Sequence, residues 1–88
     1  MSIVWTRQFK KDYKRIKKQN KNIDKLRFII ELLLQHKPLP TRFRDHKLTG
    51  FSLEHRNCHI EPDWLLIYRI DGDDLVLERT GSHSDLFV

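Results

Sequence analysis

Four side chains in this 88-residue sequence carry acid–base chemistry at a suggestive spacing: His46, His59, Asp63 and His83, with Arg79, Trp64 and Phe87 near them in the chain. Cleaving an RNA phosphodiester without a metal takes three things: removal of the 2′-hydroxyl proton, protonation of the leaving 5′-oxygen, and charge stabilisation on the phosphorane oxygens. Histidine suits the first two, since its unperturbed pKa of about 6.5 keeps both protonation forms accessible near neutrality. Asp63 would act as a base or hold an imidazole tautomer, and Arg79 would bind phosphate. Trp64 and Phe87 offer flat faces for an unstacked base. A divalent metal on His46, His59, His83 and Asp63 is chemically conceivable, but the spacing matches no short ligand motif, and the metal-free reading is preferred. His36 and His55 read as surface or satisfied polar residues. Cys58 lacks the partners of a nucleophile and reads as core. Spacing alone leaves open whether the four acid–base groups meet.

The elements that must position them follow from periodicity. Ile3, Val4 and Trp5 make a short β-type segment, and Thr6 is a good N-cap. Phe9, Tyr13 and Ile16 fall at helical spacing, with lysines at the other positions, which predicts an amphipathic helix with a basic back. A second helix is expected over residues 23–35, capped by Asn20 or Asn22 and better buried than the first, so that the two form a helical hairpin. Pro38 and Pro40 are expected to end it, because each lacks an amide donor and disfavours helical dihedrals in the residue before it. Residues 41–50 are aperiodic and read as a surface loop that carries His46.

Residues 53–60 are compatible with a strand that places Cys58 and Ile60 on one face and His55, Asn57 and His59 on the other. Residues 64–70 form a continuous apolar run expected to be a central strand. After a turn at residues 71–74, residues 75–81 return, with Leu75, Leu77, Arg79 and Gly81 sharing a side under unbroken alternation, and His83 joining them if the path stays extended. The predicted fold is a single α+β domain over residues 1–88, ordered β-α-α-β-β-β, with a largely antiparallel sheet.

Length and charge narrow the function. A chain this short holds one modest core, which excludes a large lidded enzyme. One cysteine excludes a disulfide framework or a multi-cysteine zinc site and fits a reducing compartment. No apolar run approaches the roughly 20 residues of a membrane span, and residues 1–6 lack the build of a signal peptide, so the expectation is a cytoplasmic protein away from membranes. Residues 1–49 carry 14 Lys and Arg against 4 Asp and Glu, a net +10; residues 50–88 carry 3 against 8, a net −5. A basic half of this kind suits a polyanionic partner.

Three segments then identify a resemblance: Asp45-His46-Lys47-Leu48-Thr49-Gly50; Cys58-His59-Ile60-Glu61-Pro62-Asp63-Trp64 with the apolar run after it; and Glu78-Arg79-Thr80-Gly81-Ser82-His83-Ser84-Asp85-Leu86-Phe87. In this order and spacing, with the basic helices before them, they resemble the YafQ-like branch of the RelE/ParE superfamily of bacterial type II toxins, over essentially the whole chain. The resemblance implies a RelE-like fold and a ribosome-dependent endoribonuclease that cuts mRNA in the ribosomal A site without a cofactor. It also implies a cognate antitoxin that covers the basic surface. The residues matching that branch's functional set are His46, His59, Asp63, His83 and Phe87, with Trp64 beside them. Many relatives in the wider superfamily carry arginine near the position of Leu65, so phosphate stabilisation here would fall to Arg79, to a protonated histidine or to the ribosome. Two other readings use the same fold: a ParE-like gyrase inhibitor, in which the histidines have no purpose, and a non-catalytic RNA-binding module.

Overall fold

The computed structural model describes residues 1–48 and 54–87; the ends of the expected motif and strand at Thr49, Gly50 and Leu53 lie outside them. Among the described residues, five strands form one sheet in the order β1-β5-β4-β3-β2: β1 (Ser2–Trp5), β2 (His46–Lys47), β3 (Arg56–Glu61), β4 (Trp64–Asp71) and β5 (Asp74–Gly81). The β1–β5 pair is parallel and the others antiparallel. Helices α1 (Arg7–Lys18) and α2 (Ile23–Leu34) lie between β1 and β2 in the chain, and a short α3 (His83–Leu86) follows β5. The α+β architecture with an N-terminal strand and two helices is therefore as the sequence predicts. The structure departs from the sequence reading in places: Thr41–Phe43 form a single 3-10 turn and His46 lies on the edge strand β2, in place of the expected loop, and the chain after Gly81 turns into α3 rather than staying extended.

Local chemistry explains the helix limits. Thr6 caps α1 by accepting from the Phe9 amide at 3.0 Å, and Asn22 caps α2 by accepting from the Asp24 amide at 3.1 Å. Left-handed residues follow each helix, Asn20 at φ 58° and His36 at φ 56°. The second helix thus stops at Leu34, before the prolines are reached. Burial is shared between the helices: α1 buries Phe9, Asp12 and Ile16, whereas α2 buries Leu26 and Ile29 and packs half-buried Ile23, Ile30, Leu33 and Leu34 on the same core, so fewer of its residues are exposed, as the sequence predicts. In the sheet, α1 packs on β5 and α2 on β3.

Both helices pack on the same face of the sheet. Phe9, Ile16, Leu26, Ile29 and Phe43 meet Cys58, Ile60, Trp64, Leu66, Tyr68, Leu75 and Leu77 in one core. Residues directly paired across strands share a face. Cys58 pairs with Leu66 and Arg56 with Tyr68, on the helix side, whereas His46 pairs with Asn57, Asn57 with Ile67, and His59 with Leu65, on the opposite side. The histidines thus occupy the face the helices leave uncovered. A bulge decides the rest: Tyr68 pairs with Leu77 but Ile67 with Arg79, so Glu78 is the extra residue. Leu75 and Leu77 point into the core, and Arg79 and Gly81 switch to the histidine face.

Candidate active site

His83, His59 and His46 form a row. Ring centroids are 5.6 Å apart between His83 and His59 and 6.1 Å between His59 and His46, with interplanar angles of 40° and 26°. Phe87, 44% exposed, extends the row beyond His83 at 6.5 Å. Each imidazole comes from a different element, so its placement depends on that element's own anchors.

His46 follows Asp45, whose carboxylate accepts from Arg56 at 3.1 and 3.2 Å and from the Tyr68 hydroxyl at 2.6 Å. Arg44 sits in the left-handed region at φ 49°, and its carbonyl accepts from His46 Nδ1 at 2.6 Å. A carbonyl can only accept, so Nδ1 carries the proton and the lone pair of a neutral His46 sits on Nε2. At the other end, Ser82 and Asp85 form a capping box that starts α3 at His83. One oxygen of Asp63 accepts from both the His83 backbone amide at 2.9 Å and Nδ1 at 2.6 Å. Those two hydrogen bonds hold the Asp63 carboxyl below its ordinary range, the backbone one contributing most. An ionised Asp63 fixes the proton of His83 on Nδ1 and directs Nε2 outward.

His59, on β3 between the other two, is set apart. Its Nδ1 is buried without a hydrogen-bond partner among the described residues. Desolvation, and then the positive charge of His83, Arg44 and His46, lowers its pKa from the usual value. Arg44 is close enough to depress His59, and it is a residue that sequence reasoning missed; its only signal was membership of a basic aperiodic segment.

Two expected members serve elsewhere. Trp64 is fully buried, with its Nε1 donating to Thr80 Oγ1 at 2.9 Å, so it is core and offers no face to a base. Arg79, expected to hold phosphate, donates to the buried Asp12 at 2.7 and 3.3 Å. β1 ends at Trp5, opposite Leu77, which leaves the second half of β5 open for that side chain to turn towards α1. Cys58 is buried as expected, which pushes its thiol up. His55 is a satisfied polar residue, 2.8 Å from Glu78. Among the described residues no group of three or more His, Cys, Asp or Glu side chains is arranged to hold a metal ion. No helix among them is long and apolar enough to cross a membrane.

All of residues 1–88 match the family described as bacterial toxin of type II toxin-antitoxin system, YafQ. The chain belongs to the YafQ family of type II toxins. It is 41% identical over 86 residues to the mRNA interferase toxin YafQ of Escherichia coli K12, covering 97% of this chain and 94% of that one. Among solved structures, the E. coli DinJ–YafQ complex superposes with a TM-score of 0.93 at 40% identity, covering 99% of this chain and 98% of that one. A metal-bound toxin from Helicobacter pylori superposes at 0.95 and 36% identity, covering 99% of each chain.

Proposed function

We propose that this toxin is an endoribonuclease that cleaves mRNA in the ribosomal A site by metal-independent acid–base chemistry, with the 2′-hydroxyl as nucleophile. The observation that carries the reading is the pair of outer imidazoles, each tied back through Nδ1 so that Nε2 faces outward. His46 Nε2 takes the 2′-hydroxyl proton; the 2′-oxygen attacks phosphorus; His83 Nε2–H protonates the leaving 5′-oxygen. Asp63 holds the His83 tautomer and stabilises its imidazolium, and its lowered pKa makes it a poor base. His59 lies between acid and base beside the phosphate, and Arg44 supplies fixed positive charge there in place of Arg79. Phe87 offers a face to a base next to His83.

The DinJ complex of the E. coli relative supports a cognate antitoxin partner for this chain. An acidic, partly disordered antitoxin that binds the basic half and covers the histidine row fits the charge distribution.

Toeprinting on translating ribosomes tests the reading. Wild type gives codon-positioned cuts, in chelator as well as without it, and His83→Ala loses about 10²–10⁴-fold in rate while still binding ribosomes. Near-normal cleavage by that variant removes His83 as the acid. Cleavage lost in chelator defeats the metal-independent mechanism, which the metal-bound H. pylori relative makes a substantive control.

A further inference from the structure

A cleft of about 610 Å³ opens between the first half of α2, the single turn at Thr41–Phe43 and the end of β3; apart from His59 and Arg44 on its wall, its lining has no part in the acid–base chemistry above. Its size falls within the range of about 300–1,000 Å³ typical of ligand sites. It adjoins the histidine row, because His59 lines both and Arg44, whose carbonyl orients His46, lines its wall. Phe28 stands on its rim 44% exposed, 6.2 Å from the buried Phe43 ring. The Arg42 guanidinium lies 4.6 Å over Phe43. Lys25 is held in place by Glu61 at 2.8 Å.

In-line attack by a 2′-hydroxyl requires the two nucleotides around the cut to leave helical stacking, and each released base then needs a new apolar face. Phe87 provides one at the His83 end of the row. Beyond His59 the chain offers the exposed Phe28 ring in a cleft that Arg42 and Arg44 also line, a combination that suits a base and its phosphate. We propose that this cleft is a nucleotide subsite: it seats one unstacked base of the cleaved strand against Phe28, with Arg42 on the adjoining phosphate. The RNA then runs along the row from Phe87 to the cleft. The other candidate occupant is an acidic arm of the antitoxin; the Asp24 carboxylate on the cleft wall repels either anion, whereas the exposed Phe28 ring and continuity with His59 favour RNA.

The subsite rests on the ribonuclease reading, and two measurements separate them. The first is an NMR titration of the full chain with a short single-stranded RNA methylated at every 2′-oxygen, which binds without being cut. Signals of Phe28 and Arg42 should move together with those of His59 and His83. Phe28→Ala should raise the half-saturating RNA concentration about tenfold, and Phe28→Tyr should restore it. The second is ribosome-dependent cleavage, where Phe28→Ala should raise the toxin concentration needed and relax base preference at one position flanking the cut, with antitoxin affinity unchanged. Phe28 is half exposed, so the variants keep their fold. If the histidines respond to RNA while Phe28 and Arg42 do not, the subsite is wrong and the ribonuclease reading stands. If Phe28→Ala weakens antitoxin binding and leaves cleavage untouched, the cleft belongs to the antitoxin. If wild type neither binds the RNA nor cuts on ribosomes, both proposals fall.

Discussion

His59 lies between His46 and His83 with its Nδ1 buried and without a hydrogen-bond partner among the described residues, so the fold disfavours its charged form. A group whose folded pKa is depressed binds protons less readily in the native state than in the unfolded chain, so stability rises with pH across the window between the two values. For His59 that window lies just below about 6.5. Its contribution is intact above that pH and is lost as pH falls towards the folded value. Urea unfolding at pH 7.5 and 5.5 should show a smaller loss on acidification for His59→Gln than for wild type; equal losses would place the pH dependence elsewhere. Asp63 is the mirror case, a carboxylate kept ionised by two hydrogen bonds from His83. Asp63→Asn keeps the size and an acceptor oxygen but removes the negative charge that holds the His83 imidazolium, and its NH2 group can also donate to the ring, so the tautomer is no longer fixed. Cleavage on ribosomes should fall about 10²-fold with little change in the unfolding midpoint.

At the scale of elements, the row depends on how β5 ends. β1 covers only its first half, and α1 completes the rest with side chains: Asp12 accepts from the Thr80 amide at 3.2 Å, and Arg15 donates to the Thr80 carbonyl at 2.9 Å. Arg15 also approaches Asp85 at 3.7 Å, linking α1 to the capping box that sets His83. Gly81 makes this approach possible. Its φ is +154°, and a Cβ there would lie 2.5 Å from Arg15 Nη2 and 3.1 Å from Asp85. Gly81→Ala should therefore cost about 1–3 kcal/mol of stability, read by denaturant unfolding. It should also shift the NMR signals of His83 more than those of His46; a variant with wild-type stability and unmoved His83 signals would remove Gly81 from this role.

Over the whole molecule, charge is divided by chain half, and the helices carry much of the basic part on exposed lysines such as Lys10, Lys11, Lys14 and Lys18. Such residues gain affinity for phosphate through counterion release, so binding to ribosomes should weaken linearly on a log–log plot against salt. Replacing those four with Gln should flatten that slope by about 0.7–0.9 for each phosphate that the lysines neutralise, with the fold preserved. An unchanged slope would mean that the hairpin face points away from RNA. The helices cover one face of the sheet, and the histidines lie on the other, where Leu65 and Ile67 are also buried, so the strands carry the core and the histidine row together.

The sequence by itself determined what is local or periodic. The two caps, the amphipathic stripe of α1, the apolar run of β4, and the alternation that puts Cys58 in the core and His59 on the other face all depend on neighbours a few residues away. The histidine motifs also pointed to the YafQ family before any coordinates. Tertiary structure decided the rest. Only pairing across the sheet shows the bulge at Glu78 that moves Arg79 to the histidine face. Only the open edge of β5 shows why its guanidinium then goes to Asp12. Trp64 has the ring of a base platform, yet packing makes it core, and Arg44 gains its place beside His59 from a left-handed backbone turn that no periodicity marks. The four acid–base residues are spread over 38 positions of the chain, and their row is a product of strand order: His46, His59 and His83 meet only because β2, β3 and the end of β5 converge on one face.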